Sequence, residues 1–139
     1  MNALASSFAD PADVRAYNRA RARGLSDREA FAVGDNGVGC WGDFTAQLIT
    51  PMCALPPEDM AAKFGSVKKA KHARVIVVSR ETGLRVECLL ADRMPAKKNI
   101  KNGCGIDLNP AAAKQLKLKP PFTHPVTWHW IDEAPCTCA

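Results

Sequence analysis

Apolar and polar residues alternate most clearly in the middle of the chain. In "LRVECLLA" (84–91), Leu84, Val86, Cys88 and Leu90 fall on one side, and Arg85 and Glu87 on the other. That period of two predicts a strand with one buried face. "ARVIVVS" (73–79) is a second β segment, and "RETG" between them offers Gly83 for the positive φ of a hairpin turn. "PVTWHWI" (125–131) predicts a further strand. It sets Val126, Trp128 and Trp130 against Thr127, His129 and Ile131, and both tryptophans are expected in the core.

Helical signals frame this β region. Asp10 followed by Pro11 opens a helix that Gly24 closes, with Val14 and Tyr17 on a thin apolar stripe and Arg15, Arg19 and Arg23 on another face. Ser26 and Glu29 have capping-box spacing for a second short helix through Val33. "GDNGVG" (34–39) is a turn: it lacks the lysine and hydroxyl residue of a phosphate loop, and no strand is expected before it. "PMCALPPEDM" (51–60) is expected to be a proline-punctuated loop, with a turn of helix over 59–64. Asn109 and Pro110 cap and open a last helix to about Leu116.

The length of 139 residues suits one domain with a sizeable core. The apolar runs are strand-length, too short to span a bilayer, so no membrane span is expected. The first twenty residues show no basic stretch followed by an apolar run, so no secretory signal is expected. The net charge of +5 favours polyanionic partners, but the basic clusters at 15–23, 68–71 and 97–101 carry no interleaved aromatics. Solvated faces are the simpler account, and nucleic acid is not an expected partner. The six cysteines form no Cys-x-x-Cys pair, so no metal site and no cofactor is predicted. They are either free thiols or, in an oxidising setting, disulfides.

Several segments in this order resemble one family. "VIVVSRETGLRVECLLADRMP" (75–95) resembles the core of the rare lipoprotein A family, in which two strands lead into Asp-Arg-Gly-Pro. "GIDLNPAAAKQL" (105–116) is similar to that family's Ile-Asp-Leu-Ser and Ala-rich helix. "GVGCWG" (37–42) resembles its first barrel strand, and "ALP" (54–56) its Leu-Pro approach to the next. The resemblance implies a mainly β fold with short helices: a six-stranded double-psi β-barrel over 37–132. A helical extension (1–36) would precede it, and a Cys-containing tail (133–139) would follow.

Members of that family bind or cleave glycans, several of them cleaving peptidoglycan as lytic transglycosylases. The Asp of their Asp-Arg-Gly-Pro motif is catalytic and maps onto Asp92, where burial would raise the pKa toward that of a general acid. The sequence departs from the family elsewhere. Met52 stands at the catalytic His position, no Glu occurs between Gly34 and Pro57, and Met94 replaces the motif glycine. Related endoglucanases pair a first-strand aspartate with the Asp92-like one, which makes Asp43 the candidate partner of Asp92. Trp41 either stacks on a sugar or fills the barrel; Arg93 either contacts substrate or pairs with Asp92 or Asp107. Asp107 is expected to be structural, near the start of the following helix. His72, His124 and His129 show no evident ligand partners.

Two functions follow as expectations. In the first, a phage or prophage virion protein binds peptidoglycan or another glycan, or has a structural role, with a degenerate active site and with its N-terminal helices docked on other virion proteins. In the second, the protein cleaves peptidoglycan with Asp92 and Asp43. Either would act at the bacterial cell wall, from a virion or an infected cell.

Overall fold

The computed structural model describes residues 1–133. Six strands, β1 (Asn2–Ser7), β2 (Met52–Leu55), β3 (Arg74–Ser79), β4 (Arg85–Arg93), β5 (Ile106–Leu108) and β6 (Thr123–Trp130), close into a barrel in the order β1-β5-β2-β4-β3-β6. Four helices accompany them: α1 (Pro11–Ala22), α2 (Asp27–Phe31), α3 (Pro57–Phe64) and α4 (Pro110–Gln115).

The pairing repeats after three strands. β1 runs parallel to β5 and antiparallel to β6; β4 runs parallel to β2 and antiparallel to β3. The remaining contacts, β2 with β5 and β3 with β6, are antiparallel and join the two halves. Two parallel pairs within an otherwise antiparallel barrel force long crossings, and α1, α2 and α3 lie in those crossings.

The alternating segments behave as their pattern predicts. Val86, Cys88 and Leu90 of β4 point inward with Val75 and Val77 of β3, and Val126, Trp128 and Trp130 of β6 meet them. Trp130 stacks edge-on against Trp128 at 5.3 Å and against Phe64 of α3 at 5.1 Å between ring centroids. Truncating a fully buried member such as Leu90 costs about 2–5 kcal/mol.

Three segments differ from expectation. Residues 2–7, expected within a helical extension, form a barrel strand. The sequence "NALASS" has low intrinsic β propensity and no alternation, and its strand state comes from partners about a hundred residues away. Residues 37–42, expected as the first barrel strand, form turns with one isolated bridge, Val38 to Phe44. The expected loop over 51–60 contains β2, buried along its whole length between β4 and β5, so it shows no alternation to read.

Asn109 locks the crossing beneath the barrel. Its Oδ1 accepts from the backbone N–H of Met52 (2.8 Å) and Ala112 (3.0 Å), and its Nδ2 donates to the carbonyls of Thr45 (3.0 Å) and Thr50 (3.1 Å). One buried side chain therefore caps α4, starts β2 and holds the loop before it. Gly39 is equally specific: a Cβ there would sit 2.0 Å from the carbonyl oxygen of Ala91, so only glycine lets this loop lie on β4 just before Asp92.

Candidate functional site

The ends of β1 and β4 open on one side of the barrel into a groove of about 1170 Å³. The segment after α2 and the loop after β4 both contribute to its lining. Strand register lays four residues across its floor. Ser6 of β1 faces Asp107 of β5, Asp107 faces Ala54 of β2, and Ala54 faces Asp92 of β4. The two aspartates thus flank a methyl group at two strand spacings, roughly 9–10 Å between Cα atoms. A larger side chain at Ala54 would fill the space between them.

Asp92 is partly buried, and its Oδ1 accepts from the backbone N–H of Cys40 (2.9 Å) and of Arg93 (2.8 Å). Burial raises its pKa; these amides and the Arg93 charge oppose the rise. Asp107 shifts further, to about 7, because burial outweighs the hydrogen bond that the Ser6 hydroxyl donates to its Oδ1. The charges of Asp92, Asp13 and Asp35 push it in the same direction.

Asp35 and Asp13 complete the acidic set lining the groove. Burial lifts Asp35 to about 6, against a hydrogen bond from the Gly37 amide at 2.7 Å. Asp13, in the first turn of α1, is also raised by burial and accepts from the Ala9 amide at 2.9 Å. Near neutral pH the groove therefore holds carboxyl groups in both protonation states, which is what acid–base chemistry and hydroxyl recognition both use. Among the described residues, no group of His, Cys, Asp and Glu side chains is arranged to hold a metal ion.

The residues expected from the sequence separate. Asp92 and Arg93 line the groove, Arg93 exposed and without a carboxylate within salt-bridge distance among the described residues. Asp43 and Trp41 do not line it. The Asp43 carboxylate contacts His72 Nε2 at 2.7 Å, and its carbonyl accepts from Gly39 N–H at 2.8 Å, so Asp43 pins the loop that covers β4. Trp41 packs partly buried against the core, with the His72 ring 6.4 Å away, edge to face. Met52 is buried.

Asp107 accepts from Ser6 of β1 rather than from the start of α4 and lines the groove, while Asn109 caps α4 as its place in the sequence predicts. Asp13, Asp35 and Ser6 carried no motif; "GDNGVG" read as a turn without showing which way its aspartate faced. Of the two states open to the cysteines, free thiols or disulfides, the described residues show the first: Cys40, Cys53, Cys88 and Cys104 are free thiols. Cys53 faces Leu90 in the strand register, which leaves Cys88 diagonal to it, and burial together with the Cys88 thiol pushes the Cys53 pKa well up. Cys136 and Cys138 lie outside the described residues.

No protein-family model matches this chain, and no curated protein shows significant similarity to it.

Proposed function

We propose that this chain is a glycan-binding protein of double-psi barrel type, related to the rare lipoprotein A family, and that its groove takes a peptidoglycan strand or a similar polysaccharide. The observation that carries the reading is the row Ser6–Asp107–Ala54–Asp92 on the floor of an open groove. Carboxyl groups on either side of a small residue suit a chain of ring hydroxyls, and the groove's volume of about 1170 Å³ exceeds that of a single sugar ring. The repeated pairing of β1 and β4 supports the double-psi assignment. The buried Met52 supports a binding role with a degenerate active site.

The same row favours one second reading, cleavage. Asp107, with its pKa raised to about 7 and so still partly protonated near neutral pH, would serve as the acid and Asp92 as the partner that stabilises positive charge at the sugar. In this reading Asp107 takes the part first expected of Asp43.

Purified protein incubated with peptidoglycan sacculi separates the two. Binding requires co-sedimentation that falls about tenfold in Asp92→Asn, with no muropeptides released. Release of anhydro-muropeptides by the wild type, lost in Asp107→Asn, would establish cleavage. Neither sedimentation nor release would dispose of both. The virion setting proposed with this function comes from the sequence, and mass spectrometry of purified particles tests it: absence of the chain rejects it.

A further inference from the structure

A second concave surface shares no lining residue with the groove. It lies beside α4, encloses about 400 Å³, and has Leu48, Leu118 and Pro110 among its apolar lining. Lys114, Lys117 and Lys119 rim it, and Asp10 is the one acid. The three lysines are exposed, and none has a carboxylate within salt-bridge distance among the described residues.

The rim and floor are held in place. Leu118 N–H bonds the Ala113 carbonyl at 2.9 Å and Lys117 N–H the Lys114 carbonyl at 3.1 Å, closing α4 with Lys117 at φ 57°. Glycine is the ordinary occupant of that left-handed position, yet here it presents a cation. Across the pocket, Gln47 Oε1 accepts from Ile49 N–H and Thr50 N–H, each at 2.7 Å, while Asn109 anchors the carbonyls of Thr45 and Thr50. This braced loop displays Leu48 at 61% and Ile49 at 89% exposure. Large aliphatic side chains fixed in water on a hydrogen-bonded loop are preorganised for contact, because little ordering entropy is left to lose on binding.

We infer that this pocket docks an acidic protein segment. An aliphatic or aromatic side chain of the partner enters between Leu48 and Leu118, and flanking carboxylates meet Lys114, Lys117 and Lys119. The charge complementarity identifies the partner's sign, and the concave apolar floor identifies a side chain rather than a bilayer surface as the occupant.

The test is selection of a displayed random 12-residue peptide library on the purified full chain. The proposal requires enriched sequences with Leu, Ile, Met or Phe flanked by Asp or Glu. A fluorescent synthetic copy of the enriched sequence should bind the wild type. It should lose about tenfold or more in affinity for Lys114→Glu/Lys117→Glu and, separately, for Leu48→Asp. Lys119→Glu, at an exposed position outside every helix, provides a third variant if either of the others fails to fold. Enriched peptides lacking acids, or equal binding by the variants, would overturn the proposal. So would binding of phosphatidylglycerol vesicles, abolished by the same substitutions, in place of peptide.

Discussion

Ser6 and Asp107 are register partners on adjacent parallel strands, and the Ser6 hydroxyl donates to the Asp107 carboxylate. Even with that bond, Asp107 takes up a proton near pH 7 in the folded chain. Unfolded, it does so near its ordinary value of 3.8. Between those values the native state therefore binds more protons than the unfolded state, so stability falls as pH rises through the window and levels off above it. Asp35, lifted to about 6, acts in the same direction over a narrower range. Asp107→Asn should remove most of this loss, on the order of 2–4 kcal/mol at pH 8 and little at pH 4. Urea unfolding of both proteins at the two pH values measures it. An equal pH slope in wild type and variant would mean that Asp107 ionises freely.

Asn109→Ala should be among the most costly single substitutions. It removes the partners of two backbone amides and two carbonyls at once, all at the crossing of β2, α4 and the loop before β2. The expected loss is roughly 3–5 kcal/mol. Asn109→Asp should not rescue it, because a carboxylate cannot donate to the carbonyls of Thr45 and Thr50. Chemical denaturation of the two variants is the measurement.

Gly39→Ala and Gly42→Ala form a matched pair. At Gly39 a methyl group would meet the Ala91 carbonyl, whereas at Gly42 (φ 93°) nothing lies within 4 Å. Gly42→Ala should cost only about 1 kcal/mol, the conformational term. Gly39→Ala should cost more and also weaken sacculus binding, because the displaced loop carries the Cys40 amide that Asp92 accepts from.

Thiol labelling reports on the same loop. Cys40 is exposed beside Asp92, and burial of its sulfur together with the Asp92 charge raises its pKa. Asp92→Asn should therefore speed iodoacetamide modification of Cys40 at pH 8 several-fold, read by peptide mass mapping. Cys53 and Cys88, both in the core, should label only on unfolding.

The parts of the fold legible in the sequence are those whose physics is local. β4 and β6 announce themselves by alternation, β3 by its run of β-branched residues, and α2 and α4 by Ser26 and Asn109 at their caps. β1 and β2 do not, because short segments of small or uniformly buried residues become strands only through distant partners. The site divides along the same line. Asp92 was marked by the resemblance of Asp-Arg-Met-Pro, at the end of a patterned strand, to a family motif. Asp107 was visible but read as structural beside the Asn109 cap, since nothing local says that its carboxylate reaches a groove. Asp13 and Asp35 belong to a helix and a turn, and only the closed barrel brings them to the groove.

Of the barrel's strand pairings, β3 with β4 is the one that joins strands consecutive in sequence. Every other pairing waits for a partner made later, and the ring closes only when β6 lies against both β1 and β3. Such high contact order makes for slow folding, with the hairpin the one piece able to form early. During synthesis β1 has no strand partner until β5 has emerged, and its second edge waits for β6. Once the ring is closed none of the six described strands leaves an edge for another chain to extend. The hazard of aggregation falls on the nascent chain rather than on the finished protein.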